Sequence, residues 1–189
     1  MSIKKNTSNG FTMIEIVIVI IMVGIIGSMA ATMLYHGSEI FVKETRRQGF
    51  VSEARSAFWN TMRETHGQRS PYNFVSSDQN YILLVNSIDE QKEFQIQSPN
   101  SFNYRMGGAG NYNLLSSYLS FDQSGGFKYY DNSFNIISPS TAGLTGEQAK
   151  LVHLSRLELT FVNDEDIFSL SSFIYPYNFK FGQKMSYHE

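Results

Sequence analysis

The sequence predicts an α+β protein in which a long N-terminal helix packs on an antiparallel β-sheet head. Three observations support this fold class. Residues 11–34 form an uninterrupted apolar run of twenty-four residues. A helical spacing of apolar residues continues past this run to about His66, and strand-like alternation replaces it after Pro71. The expected helix therefore has a membrane-spanning lower half and an amphipathic upper half.

The apolar run is long enough to cross a membrane. A bilayer core is about 30 Å thick, and a helix rises about 1.5 Å per residue. We therefore expect residues 11–35 to form a transmembrane helix. Glu15 is the only ionisable residue in the run. A carboxylate at the centre of a spanning helix costs about 2.5 to 3.5 kcal/mol, so Glu15 needs a cationic partner unless it sits at headgroup depth beside water or Lys5.

The ten residues before the run are polar and carry Lys4 and Lys5. In an ordinary secretory signal the apolar region precedes the cleavage site, whereas here the polar leader ends in Gly10 and the apolar run follows it. Lysines beside the start of a span favour a cytoplasmic N-terminus. The leader, residues 1–10, is therefore predicted to stay inside the cell and the head to lie outside.

Gly10 is followed by Phe11, and Glu15 is the fifth residue counted from Phe11. With the apolar helix after them, these residues resemble the class III signal of type IV prepilins and type II secretion pseudopilins. The resemblance implies that a prepilin peptidase cuts between Gly10 and Phe11, that the new amine of Phe11 is methylated, and that the helix becomes the assembly stem of a filament. It also implies that Glu15 pairs with the Phe11 amine of a neighbouring subunit.

The same resemblance implies a type IV pilin-like fold and a set of partners. These are prepilin peptidase, other pilin or pseudopilin subunits, and an inner-membrane assembly platform. The expected location is the bacterial inner membrane, single-pass with a periplasmic head, or a filament outside it. The chain has no cysteine, whereas many major type IV pilins close their C-terminal region with a disulfide. This departure favours a minor subunit.

Residues 36–67 are predicted to continue the helix as an amphipathic segment. Val51, Ala54, Phe58 and Met62 recur at three- and four-residue steps. Gly67 and then Pro71 mark the predicted end. Within this segment, residues 53–64 (EARSAFWNTMRE) resemble the corresponding part of J-class minor pseudopilins and related minor pilins.

Residues 68–189 are predicted to form a β-rich head, with one sheet packed on the upper half of the helix. Runs of aromatic and branched residues are separated by groups rich in Gly, Asn, Ser and Asp. The predicted strands are 81–85, 93–97, 102–106, 118–121, 127–130, 134–137, 151–162 and 167–181.

No set of residues predicts catalysis, a metal site or another cofactor, so we do not expect an enzyme. The histidines stand alone at positions 36, 66, 153 and 188. The glycine-rich stretch 107–110 lacks the lysine of a phosphate loop and is interpreted as a turn. The acidic run 164–166 could hold calcium, but a solvated hairpin tip is favoured. The net charge of −2, which becomes −4 without Lys4 and Lys5, does not favour nucleic-acid binding.

Three functions remain open from the sequence. The first is a structural minor pilin-like subunit that primes or caps a type IV pilus. The second is a minor pseudopilin in the pseudopilus of a type II secretion system, which exports proteins. The third is a membrane-anchored adhesion module. The first two share the cleavage signal, the stem and a β-rich head, so the sequence does not discriminate between them, and the minor pilin is the leading hypothesis.

Overall fold

The computed structural model describes residues 11–164 and 166–181 of the chain. The chain divides into two compact units between Arg46 and Arg47. Helix α1 runs without interruption through Met13–His66 and therefore contributes to both units. It ends where the sequence predicts, since the Gly67 amide donates to the carbonyls of Arg63 and Glu64 at 3.3 and 3.0 Å.

The first unit consists, in its described part, of residues 11–46, which include the apolar portion of α1. Its large apolar side chains between residues 11 and 34 are 48 to 86% exposed. Among the described residues, α1 is the one helix long and apolar enough to cross a membrane. Its hydroxyl groups are satisfied locally, because Ser28 donates to the Ile25 carbonyl at 2.8 Å and Thr32 to the Ser28 carbonyl at 2.9 Å. These bonds suit a helix in apolar surroundings, where an unmade hydrogen bond is costly.

The second unit contains two antiparallel four-stranded sheets, where the sequence suggested a single sheet. The first sheet has the order β1-β2-β3-β4, with β1 Tyr81–Val85, β2 Gln91–Gln97, β3 Ser101–Met106 and β4 Asn113–Ser116. The second has the order β6-β5-β7-β8, with β5 Gly126–Tyr130, β6 Ile136–Ile137, β7 Leu154–Asn163 and β8 Asp166–Ile174. The α+β class with a long N-terminal apolar helix and antiparallel sheets is therefore confirmed.

The last four turns of α1 supply one wall of the core of this unit. The buried face contains Phe50, Ala54, Ala57, Phe58, Thr61, Met62 and Thr65. The sheets contribute fully buried residues such as Phe94, Phe102 and Phe161. Strand β7 keeps the alternation expected of a sheet with one buried face, since Leu157 and Leu159 are fully buried while Arg156 and Glu158 face the other side.

Three local predictions were wrong. Residues 118–121 do not form a strand and make only one bridge, Leu119 to Phe161, whereas β4 lies a few residues earlier. Residues 146–151, predicted as loop and strand, form the short helix α2, Gly146–Leu151. Its start is fixed by a capping box in which Thr145 and Gln148 exchange backbone and side-chain hydrogen bonds. The run 167–181 is not one strand, because β8 ends at Ile174 and a 3₁₀ helix, Tyr177–Phe181, follows Pro176.

Candidate functional site

Glu15 lies in the first turn of α1, three residues after Thr12. The Thr12 amide and the Thr12 hydroxyl both donate to Glu15 Oε2 at 2.7 Å, and the Glu15 amide contacts Thr12 Oγ1 at 3.4 Å. This reciprocal exchange is a capping box, which satisfies amides that have no partner within the helix. Thr12 was not singled out from the sequence, although Thr-x-x-Glu before an apolar run is a recognisable signal.

The capping box gives Glu15 hydrogen bonds but no counter-charge. Both donors of Thr12 are neutral, and both reach the same carboxylate oxygen, Oε2. An ionised carboxylate accepts about four hydrogen bonds over its two oxygens. The partial positive charge of the helix N-terminus also favours an anion at this position. Glu15 is therefore held in a defined place and retains the capacity to accept bonds from a cation.

Of the two predicted processing residues, Gly10 and Phe11, the structure describes Phe11. It lies two residues before the start of α1, and its side chain is 82% exposed. Gly10, on the far side of the predicted scissile bond, lies outside the described residues together with the rest of the leader. Cleavage at Gly10 and methylation of Phe11 therefore stay predictions.

The segment 53–64, which resembles part of the J-class minor subunits, has one buried side and one exposed side. Ala54 and Phe58 are buried in the core, whereas Trp59 is 60% exposed. Trp59 and Arg63 line an open groove of about 650 Å³ together with Ser56, Asn60, Met62, His66 and Tyr177. This groove combines aromatic surface with a cationic side chain, both of which are common in protein-binding surfaces.

His66 has a structural role at the edge of this groove. Its ring stacks on Tyr177 with 4.9 Å between ring centroids, and its Nδ1 lies 3.1 Å from the Tyr175 carbonyl oxygen. His153 packs against the Tyr175 ring, and His36 lies 3.5 Å from Glu39. His188 lies outside the described residues.

A buried ionic cluster lies on the face of the first sheet that is opposite to the Phe94 side. Glu93 is 1% exposed, and its Oε2 accepts from Arg105 at 2.5 Å and from the Tyr112 hydroxyl at 2.8 Å. The glycine-rich stretch is the turn that the sequence predicts, and it brings Tyr112 back over Glu93. Gly108 has a φ of +66°, and a Cβ there would lie 2.7 Å from Gln91 Oε1.

The electrostatics of this cluster follow from its burial. Desolvation, and then the hydrogen bond to Glu93, raise the pKa of the Tyr112 hydroxyl. Desolvation and the charge of Glu93 also raise the pKa of Tyr81. The hydrogen bond to Glu93 raises the pKa of Arg105. The hydrogen bond from Tyr112 to Glu93, beside the ion pair with Arg105, ties the loop after β3 to strand β2.

The acidic run at the β7–β8 hairpin is only partly described, because Glu165 lies outside the described residues. Asp166 Oδ1 lies 3.5 Å from Arg47 Nε, so a side-chain cation already faces this carboxylate. Asp164 has a φ of +52°, which is a hairpin-turn conformation that Asp tolerates. A calcium site at 164–166 thus stays the less favoured hypothesis.

Comparison with known proteins returned no match to any protein-family model, curated protein or solved structure. The strongest candidate site is the carboxylate of Glu15, which lies on an exposed apolar helix four residues after Phe11. The groove around Trp59 is the second.

Proposed function

We propose that this chain is a structural, minor pilin-like subunit of a type IV pilus. In this proposal prepilin peptidase removes residues 1–10, and the subunit then primes or caps a filament through its stem, residues 11–35. The observation that carries the proposal is Glu15, the one ionisable residue in an apolar run of twenty-four, held in the first helical turn by Thr12.

Within residues 11–164 and 166–181, the hydrogen-bond partner of the Glu15 carboxylate is the neutral Thr12, and no ion pair reaches it. A carboxylate in an apolar layer is usually retained for a function and paired with a cation. Thr12 supplies neutral hydrogen bonds, which lower the cost of burying the carboxylate without neutralising it. Cleavage after Gly10 would create a cation, the amine of Phe11. Because Phe11 is only four residues from Glu15, a neighbouring stem at nearly the same height would bring its amine to Glu15.

The two parts of α1 support a role in assembly. The apolar side chains between residues 11 and 34 are exposed in the single chain, so they are available to lipid before assembly and to other stems after it. The end of the same helix is anchored in the head core through Phe50, Phe58 and Met62. The chain thus joins a self-sufficient folded unit to a helix that needs apolar surroundings from outside.

A second candidate, a minor pseudopilin of a type II secretion pseudopilus, is favoured by a specific feature. Residues 53–64 resemble J-class minor subunits, and in the folded head they present Trp59 and Arg63 to the groove. A pseudopilus tip subunit that touches exported protein would use such a surface. Trp59→Ala separates the two candidates, since it should reduce export in the second and leave pilus number unchanged in the first.

Three variants near the start of α1 test the proposal. Glu15→Val removes both the charge and the capping box, and Glu15→Gln removes only the charge because Gln also completes a capping box. Thr12→Val removes the cap and keeps the charge. If charge pairing drives assembly, both Glu15 variants should be absent from purified filaments and Thr12→Val should be present.

All three variants should still be cleaved, because none changes Gly10 or Phe11, and the mass of the membrane-bound chain checks this. Incorporation of Glu15→Gln at the wild-type level would contradict charge pairing and leave Glu15 with a capping role only. An uncut Gly10→Leu precursor in the membrane is the expected outcome for the cleavage site. Normal processing of that variant would contradict the assignment of the scissile bond.

A further inference from the structure

Strand β8 forms one edge of the second sheet, and within the described part of the chain no backbone hydrogen bond reaches its outer side. At the β1 edge of the first sheet, side chains bond to the backbone amides. At β1 the Val85 amide donates to Gln68 Oε1 at 2.6 Å, and the Leu83 amide donates to Ser77 Oγ at 3.0 Å. Side chains thus cap β1, whereas on β8 the described residues show one such contact, from the Ser172 hydroxyl to the Phe173 carbonyl at 3.2 Å, and the rest of the edge is open.

The register shows which residues of β8 direct their backbone outward. In β7 the Val162 amide donates to the Tyr118 carbonyl and the Thr160 carbonyl accepts from Ser120, so the even-numbered residues of β7 face away from β8. The odd-numbered residues of β7 therefore bond to β8, and they pair with its even-numbered residues, as Leu159 does with Leu170. The amides and carbonyls of the odd-numbered residues of β8 point to the open side. These residues are Ile167, Ser169, Ser171 and Phe173.

The side chains of these four residues are also exposed, and their order is symmetric about Leu170. An antiparallel register centred on Leu170 sets Ile167 of one chain opposite Phe173 of the other, and Ser169 opposite Ser171. Each of these pairs occurs twice. Apolar pairs and Ser hydroxyl pairs directly across two strands are both favourable. Every outward amide between Ile167 and Phe173 then finds a carbonyl.

Charge does not oppose this arrangement. From Ile167 to Ile174 the strand has no Lys, Arg, Asp, Glu or Pro, which are the residues that protect exposed edges from pairing. The one charged residue of β8, Asp166, stands at its start beside Arg47. In the centred register the two Asp166 side chains lie at opposite ends of the paired strands.

We propose that β8 pairs with β8 of a second copy of this chain, antiparallel and centred on Leu170. The second sheet of one copy and the second sheet of the other, with four strands each, then form one sheet of eight strands. The contact is smaller than the area of about 800 Å² per partner that a stable complex in solution buries. It therefore forms weakly between free molecules and strengthens when both chains share one membrane, which raises their effective concentration. The inference is independent of the role of Glu15.

The absence of native cysteine makes disulfide formation a direct test. Full-length Ser169→Cys and Ser171→Cys chains would be reconstituted in phosphatidylcholine vesicles, separately and as an equal mixture, and oxidised with copper phenanthroline. Directly opposed Cβ atoms lie about 4.5 to 5.5 Å apart, against about 7 to 8 Å for diagonal neighbours. The mixture should therefore give several-fold more disulfide-linked dimer than either variant alone. Ser87→Cys, at an exposed loop position, is the control for random collision.

A charge exchange tests the same register by a second route. Ser169→Lys with Ser171→Lys sets Lys opposite Lys, and the matching Glu pair sets Glu opposite Glu. With a carbodiimide, which condenses a carboxylate with an amine to an amide, neither double variant should cross-link through these positions as a homodimer, whereas an equal mixture should give a dimer joined through Lys–Glu amides. An unchanged unfolding midpoint verifies the fold of each variant.

Equal cross-linking of the mixed and unmixed cysteine chains would overturn the register, and no dimer above the Ser87→Cys level would overturn the pairing itself. The latter result is expected if another protein or another part of the same chain covers β8. Glu15→Gln should form the β8 dimer normally, so a failure of charge pairing in the stem and a failure of β8 pairing are distinguishable.

Discussion

The first part of α1 exposes its apolar side chains, whereas the last part buries them. Between residues 11 and 34 the apolar side chains surround the helix and are exposed, whereas near its end Phe50, Phe58 and Met62 form one face that is buried. A helix that is apolar all round is stable only if something outside it supplies apolar contacts. The head thus buries its apolar helix face within its own core, whereas the apolar side chains of residues 11–34 are not covered by any other described part of the chain.

The largest expected contrast comes from matched truncations in the two regions. Phe161 is fully buried in the head, and Phe161→Ala should lower the free energy of unfolding by about 3 to 5 kcal/mol. Ile20 is 65% exposed in the stem, and Ile20→Ala should change the unfolding of the head by less than about 0.5 kcal/mol. Urea unfolding of the full chain in detergent, followed by circular dichroism, measures both. A large effect of Ile20→Ala on the head would break the distinction.

The next contrast concerns charge. Arg105→Met would leave the buried carboxylate of Glu93 without its ion pair and should cost about 3 kcal/mol, the lower end of the range because Arg105 is partly exposed. Arg63→Met, at a side chain that is 77% exposed, is the control and should be nearly neutral. Equal effects in urea titrations would show that the cluster around Glu93 does not fix the loop after β3.

The described part of each region contains a capping box, which permits a smaller test. Thr145→Ala removes the cap of α2 and should destabilise the head by about 1 kcal/mol. Thr12→Val removes the cap of α1 and should leave the thermal midpoint of the head unchanged, because Thr12 belongs to the other unit. A shift of that midpoint by Thr12→Val would indicate that the two units unfold together.

The smallest expected effect is a pH dependence confined to the head. Lys128 donates to Glu158 at 2.8 Å and lowers the pKa of that carboxyl group. The resulting stability is present above the ordinary glutamate pKa of about 4.3 and is lost as the pH falls through the lowered value. Glu158→Gln should reduce the loss of unfolding free energy over this acidic pH range by about 0.5 kcal/mol or less, since the Lys128–Glu158 pair is partly exposed. Glu44→Gln, in the part of α1 that belongs to the first unit, should not change the stability curve of the head.

Much of the fold could be predicted because local pattern and tertiary structure agree. The end of α1 at Gly67 and strand β1 follow the sequence closely, since a cap signal and a short apolar run bounded by turn-forming residues leave few alternatives. The strand predicted at residues 118–121 was wrong because Leu119 is apolar and buried, yet it makes an isolated bridge and belongs to no strand ladder. The helix α2 was missed because six residues are too few to show a helical periodicity. Thr145 and Gln148 have the spacing of a capping box and could have indicated its start.

The division of the head into two sheets could not be predicted, because it depends on which strands pair across long sequence separations. The candidate site was found only in part. An isolated carboxylate such as Glu15 is visible in any hydropathy pattern, but its contact with Thr12 needs the helix start to be located first. The ionic cluster was missed because Glu93 and Arg105 look like ordinary outward-facing strand residues, and only the folding back of Tyr112 buries the carboxylate.

The most direct test of the proposed function is the mass of the chain recovered from purified filaments. If cleavage creates the cation that Glu15 binds, every incorporated copy should begin at Phe11 with a methylated amine, and the uncut form should be found only in the membrane fraction. Filaments that contain chains still beginning at Met1, in amounts equal to the cleaved form, would contradict the account.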